Sequence, residues 1–156
     1  MIIFALDPSS THVGFCIAED DEYILSGVYS PKGNADQRVR HIVVWVEDKI
    51  SRYEPNMTVL EEPAANNAHK NAKTDRLLAR VGGAIEAVAV LAGSDVDRVW
   101  PSQVKATGAH KGARVYAAGI AGKRTVGLDE ADAIGVWLAY RLKQQKKLWL
   151  DQGEIK

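Results

Sequence analysis

Ile2-Ile3-Phe4-Ala5-Leu6-Asp7-Pro8-Ser9-Ser10 is an apolar run that stops on a carboxylate, followed at once by a proline and two short polar residues that break a strand. Asp7 therefore sits at a strand end. Met57-Thr58-Val59-Leu60-Glu61-Glu62-Pro63 has the same form: a β-branched and apolar stretch, then acids, then a proline that ends pairing. In Asp129-Glu130-Ala131-Asp132-Ala133-Ile134-Gly135-Val136-Trp137 the two aspartates are three residues apart, which puts them on one face of a helix. Asp132 is also in register with Val136 and Tyr140, the inward stripe of that helix, where a carboxylate is costly unless paired or bound to a cation. Each motif has an ordinary reading as well: turn chemistry for Asp7, an exposed strand end for Glu61-Glu62, and a favourable meeting with the helix macrodipole for Asp129 and Glu130. The joint arrangement of two strand-end acids and an acid pair at a helix start points instead to a divalent-metal site built from Asp7, Glu61, Asp129 and Asp132.

Working outward, the order reads as strands over 2–7, 13–18 and 23–29, a helix over 35–52, and a strand over 57–62. A helix over 68–92, a strand over 97–100, a basic loop-helix region and a last helix over 130–146 follow. Glu19-Asp20-Asp21-Glu22 leaves no room for a crossover, so the first strands form antiparallel hairpins, and later strands separated by helices pair in parallel. Val39, Ile42, Val43, Val46 and Ile50 mark one face of the first helix. In the second, Gly82-Gly83 interrupts an apolar stripe and is expected to admit another backbone, in a dimer contact or in sheet packing. The fold class is α/β, a mixed sheet flanked by helices.

At 156 residues the chain is expected to form one domain, 1–156, with a core that needs no disulfide. With 46% hydrophobic and 26% charged residues it is neither disordered nor fibrous in composition, and no apolar run is long enough to span a bilayer, so a cytoplasmic location is expected. The single cysteine, Cys16, falls in an alternating stretch and reads as a small buried thiol. Net charge is zero, but the distribution is uneven. From Arg98 to Leu128 there are six cations and no acid, and Lys70, Lys73, Arg76 and Arg80 face only Asp75. Such stretches fit a polyanion groove, although lysines and arginines also serve simply as solvated surface.

This series of acids, on three strands followed by alternating helices and strands, resembles the RuvC family of Holliday junction resolvases, within the ribonuclease H-like superfamily. The family's opening strand and turn are similar to Ile3–Phe15, its central helix to Leu78–Ile85, its Pro-x-x-Val-Lys segment to Pro101-Ser102-Gln103-Val104-Lys105, and its Asp-x-x-Asp-Ala ending to Asp129–Ala133. Two positions depart: Ser9 stands where glycine is usual, and Ala64 where bacterial members often carry a stacking aromatic; a viral branch of the family accommodates the second. The resemblance implies a ribonuclease H-like five-stranded sheet, three antiparallel strands then parallel ones, and a metal-dependent endonuclease that resolves four-way junctions by paired symmetric cuts. It implies two Mg²⁺ ions per site, with Mn²⁺ as a substitute, and Asp7 as the central ligand. The family register selects Glu61 over Glu62, a choice that strand alternation alone does not make. Lys105 would bring charge to the scissile phosphate, and Lys70, Lys73, Arg76, Lys111 and Arg114 would hold DNA arms through phosphates. Two symmetric cuts imply a two-fold homodimer, with the Gly82-Gly83 helix as candidate interface, and a branch-migration helicase as partner if the source is bacterial. The rival readings are a branched-DNA-binding module without cleavage, a ribonuclease acting on RNA–DNA hybrids, and an actin-like ATPase core, which would need a far longer chain.

Overall fold

The opening apolar run becomes β1 (Ile2–Pro8), the middle strand of a five-stranded sheet ordered β3-β2-β1-β4-β5 in the computed structural model, which describes residues 1–9, 11–63, 72–110, 112 and 114–153. The side chains of residues 72, 73, 152 and 153 fall outside that description. The strand β2 (Val13–Glu19) returns antiparallel after a turn in which the Ser9 Oγ accepts from the His12 N–H at 2.9 Å. β3 (Glu22–Tyr29) continues the hairpin, with Glu19 opposite Glu22 and Asp20 at φ 48°, a conformation that aspartate tolerates in tight turns. The expected acidic tip is therefore present, and the N-terminal ammonium pairs with the Asp20 carboxylate at 2.9 Å.

The helix α1 (Ala35–Tyr53) starts at an Asn34 capping box and carries the chain over to β4 (Met57–Glu61), which runs parallel to β1. The next crossover, α2 (Ala72–Leu91), leads to β5 (Asp95–Val99), parallel to β4. Of the expected helix over 68–92, residues 68–71 lie outside the described residues. β5 lies two residues earlier than the expected 97–100 at its start. Asp95 and Asp97 interrupt the apolar pattern, while Pro101 at the first helical position turns the chain out of the sheet into α3 (Pro101–Ala106). After α4 (Arg114–Ile120) comes α5 (Leu128–Gly153), longer at both ends than the expected 130–146. Beyond residue 146 the helix continues to Gly153, with Leu148, Trp149 and Leu150 exposed along it.

Side chains alternate across the sheet and sort into two apolar clusters. Phe4, Leu6, Val13, Ile17 and Leu60 face α1 and α2, meeting Ile42, Val46, Ile50, Val81 and Ile85. Ile3, Ala5, Cys16, Ala18 and Val59 face α3, α4 and α5, where Trp137 is 2% exposed. The expected stripe on α1 is the one buried, and Trp45 beside it stacks on Tyr29 at 4.7 Å between ring centroids. Two glycines let α5 lie close: a Cβ on Gly14 of β2 would stand 1.9 Å from the Asp129 carbonyl oxygen, and one on Gly135 2.0 Å from that of Ala109. Among the described residues no helix is long and apolar enough to cross a membrane.

Candidate active site

The sheet's alternation decides which acids meet. Leu6 lies opposite Leu60 in the parallel β1–β4 pair, and both point toward α1 and α2. The next residues, Asp7 and Glu61, are thus neighbours turned to the other face, where α5 lies. Asp132 descends on them from the second turn of that helix. One carboxylate oxygen from each of Asp7, Glu61 and Asp132 lies within 4.8 Å of the others, the one group of this kind among the described residues. Asp132 is 6% exposed and the other two are half-buried. Three hard oxygen donors at this spacing, partly removed from water, suit a divalent cation, whose charge offsets repulsion among them. These three carboxylates are the residues that fit such an ion.

Asp129, expected as the fourth acid, is not in that group. It lies in the first turn of α5, half-buried, with its backbone against Gly14 and its charge at the favourable end of the helix macrodipole. Glu62, the register rival of Glu61, is turned to the α2 side and pairs with Arg98 at 3.0 Å, while the same guanidinium reaches Glu86 of α2 at 2.7 Å.

The three acids line a cleft of about 670 Å³ at the carboxyl ends of β1 and β4. Lys105, from the last turn of α3, lines it too, as does His110. So do Gly82 and Gly83, and here the expectation of close packing within the chain is corrected: a Cβ on Gly83 would meet no described atom within 4 Å, and one on Gly82 only an Arg98 nitrogen at 3.9 Å. The missing side chains widen the cleft. Of the other expected DNA contacts, Arg76 on α2 and Arg114 on α4 are exposed; Lys70 and Lys111, like Ala64, lie outside the described residues, as does the side chain of Lys73.

The run of six cations overstates the positive charge available to a ligand, because two are committed to carboxylates. Arg98 joins Glu62 and Glu86, and Lys123 joins Glu130. Glu130 is 8% exposed and accepts from the Ser26 hydroxyl at 2.6 Å and from the Gly127 N–H at 3.3 Å; its burial was not legible in the sequence because Ser26, on β3, is distant along the chain. Burial alone would raise its carboxyl pKa, but the hydrogen bonds from Lys123, Ser26 and Gly127 and the Lys123 charge outweigh it and hold the group below the ordinary glutamate value. Its contribution to stability is accordingly present above about pH 4.3, the unfolded value, and is lost as pH falls through the folded one. Melting temperatures of wild type and Glu130→Gln should therefore differ most near neutrality and converge in acid; a gap that persists at low pH would contradict the pairing. Cys16 is fully buried, its thiol pKa pushed up by desolvation and by Glu130, which makes it the inert thiol expected.

The profile of the family described as crossover junction endodeoxyribonuclease RuvC matches residues 3–135. Thermus thermophilus RuvC in complex with a Holliday junction substrate has the same fold, with a TM-score of 0.79 at 23% identity, over 94% of this chain and 96% of that one. A second structure of Thermus thermophilus RuvC gives 0.74 at 22% identity, over 94% and 97%. The yeast mitochondrial Holliday junction resolvase Ydc2 gives 0.62 at 8% identity, over 92% and 80%. At these identities the likeness is one of fold, and no curated protein is similar enough in sequence to match. The family match spans the whole sheet, the strand ends that carry Asp7 and Glu61, and the start of α5 with Asp132, so the chain belongs to the RuvC family of crossover junction endodeoxyribonucleases, hydrolases that resolve DNA junctions.

Proposed function

We propose that the chain, acting as one nuclease domain over 1–156, resolves four-way DNA junctions by hydrolysing phosphodiesters at the Asp7, Glu61 and Asp132 cluster, with Mg²⁺ as its cation. The observation that carries this reading is the convergence of those three carboxylates in a cleft that Lys105 also lines, in a member of this family. Asp7, Glu61 and Asp132 hold the cation, and Asp129, one helical turn before Asp132, is a reserve ligand at the edge of the site. A divalent ion bound there supplies Lewis-acid activation of a water and neutralises charge on the phosphate that is cut. Oxygen-only donors favour Mg²⁺, and Mn²⁺ serves the same carboxylates.

Lys105 approaches from the α3 wall and places a cation beside the scissile phosphate, contributing charge and not a proton. Arg76 and Arg114, with Lys70, Lys73 and Lys111, grip the arms of the junction through phosphates, which orients the DNA without reading its sequence. Thermus thermophilus RuvC has been solved with a Holliday junction substrate, and its fold is shared along nearly the whole chain, which supports branched DNA as the ligand here. Two opposed cuts require two sites related by a two-fold axis, so the working unit is a homodimer.

Cleavage of a labelled synthetic four-way junction, set beside duplex, flap and RNA–DNA hybrid controls with Mg²⁺ or EDTA, tests the reading. Paired symmetric nicks that need Mg²⁺ and are confined to branched DNA are expected. Tight junction binding with no cut under any metal would make the chain a binding module, and cutting of the hybrid alone would make it a ribonuclease.

A further inference from the structure

Asp132 differs from its two partners in what fixes it. Asp7 and Glu61 are set side by side by the β1–β4 register, whereas Asp132 rides on α5, so the spacing of the three carboxylates depends on where the start of that helix sits. The close approaches at Gly14 and Gly135 limit how near α5 comes to its neighbours, but a steric limit says little about rotation around the helix axis. A directional contact does. Glu130 accepts a hydrogen bond from the Ser26 hydroxyl of β3 at 2.6 Å, pairs with Lys123 in the segment before the helix, and accepts from the Gly127 N–H at 3.3 Å. Lys123 in turn donates to the Ser26 carbonyl at 3.0 Å, and the Tyr23 hydroxyl lies 3.0 Å from the Ser26 Oγ. One buried carboxylate thus joins the sheet's edge strand, the α4–α5 connection and the first turn of α5. Residues two apart on a helix point about 200° away from each other, so Glu130 and Asp132 lie on nearly opposite sides of the axis. Any rotation of that turn shifts both.

We propose that Glu130 is a positioning residue: its bridge to Ser26 and Lys123 sets the rotation of the first turn of α5 and so holds Asp132 at the spacing from Asp7 and Glu61 that a divalent cation requires. The inference rests on the metal-site reading above, and the experiment separates the two. Mn²⁺ affinity of the full chain, without DNA, is measured by electron paramagnetic resonance for wild type, Glu130→Gln, Ser26→Ala and Asp132→Asn, at a temperature where circular dichroism shows the wild-type fold. Glu130→Gln keeps the shape and loses the charge, and a Mn²⁺ affinity about tenfold weaker is expected, the scale seen when a group that orients a metal ligand is removed. Ser26→Ala leaves Glu130 and Lys123 paired, and the Lys123 bond to the residue-26 carbonyl in place, but removes the direct bond between Glu130 and β3; it should also weaken Mn²⁺, by less, and it decides the matter if Glu130→Gln does not fold. Wild-type Mn²⁺ affinity in the folded variants, even with lowered melting temperatures, overturns the proposal and leaves Glu130 as a brace for the fold. If Asp132→Asn binds Mn²⁺ as wild type does, the metal-site reading itself fails and the proposal falls with it.

Discussion

Asp7→Asn is expected to cut junctions about a thousandfold more slowly than wild type or worse, while holding the same DNA at least as tightly. The first half follows from its place: Asp7 sits beside Glu61 on the central strand and within reach of Asp132, so amidation removes one of three charges that together suit a divalent ion. An ion of this kind contributes several kcal/mol of stabilisation to a transition state at phosphorus, and about 4 kcal/mol corresponds to a thousandfold in rate. The second half follows from electrostatics in the absence of metal. Three clustered carboxylates repel a phosphate backbone, and turning one into an amide reduces that repulsion. Cleavage rates in Mg²⁺ and junction affinity in EDTA measure the two halves on one preparation. Loss of binding in step with cutting would show that Asp7 holds the fold and not the ion; an unchanged rate would remove it from the site.

Gly14→Ala should cost about 3 kcal/mol of stability, at the severe end for an added methyl in a packed core, and should take cleavage down with it. By strand propensity alone the change would look harmless, since glycine is poor in β-strands. The new Cβ, however, would lie 1.9 Å from the carbonyl oxygen of Asp129 and 2.4 Å from its carbon, and a backbone carbonyl has no alternative rotamer by which to move aside. The strand or the start of α5 must shift. Gly14 is also the residue directly across from Asp7 in the β1–β2 pair, so a helix lifted here is lifted at the carboxylate cluster, carrying Asp132 away from its partners. Urea denaturation gives the stability, and the junction assay at low temperature, where the variant is still folded, gives the activity. Stability within about 0.5 kcal/mol of wild type would mean that α5 is not seated on β2 in this way.

Most of the site was legible because its signals are local. A strand that ends on an acid before a proline can be read in seven residues, and so can the inward register of Asp132 with Val136 and Tyr140, which the structure buries at 6, 0 and 3% exposure. What the sequence could not carry is set by pairings between distant segments. The choice between Glu61 and Glu62 depends on the register of β4 against β1, some fifty residues away, and the parity of that register turns Glu61 toward α5. The charge count from Arg98 to Leu128 went astray because Arg98 and Lys123 find their carboxylates outside that window or at its border, in Glu62, Glu86 and Glu130. β5 was placed late because its outward aspartates look like a turn, whereas Asp97 is held by Lys143 of α5 at 2.7 Å. Gly82-Gly83 was expected to admit a neighbour because a glycine pair in an apolar stripe usually does; only the surrounding fold shows that, within the chain, the pair borders the cleft instead of packing on the sheet.

The adjacent glutamates at the end of β4 look interchangeable on paper, two identical groups one residue apart, like a spare and its original. The sheet sets them apart: Glu61 looks toward Asp132, and Glu62 turns to the α2 side, where Arg98 holds it at the wall of the same cleft. Neither can stand in for the other, because exchanging them would require the strand to slide by one residue, and that slide would also carry Val59 and Leu60 out of their own apolar clusters. The protein therefore gives the two acids of this strand end different tasks, one in the carboxylate cluster and one in the Arg98 ion pair.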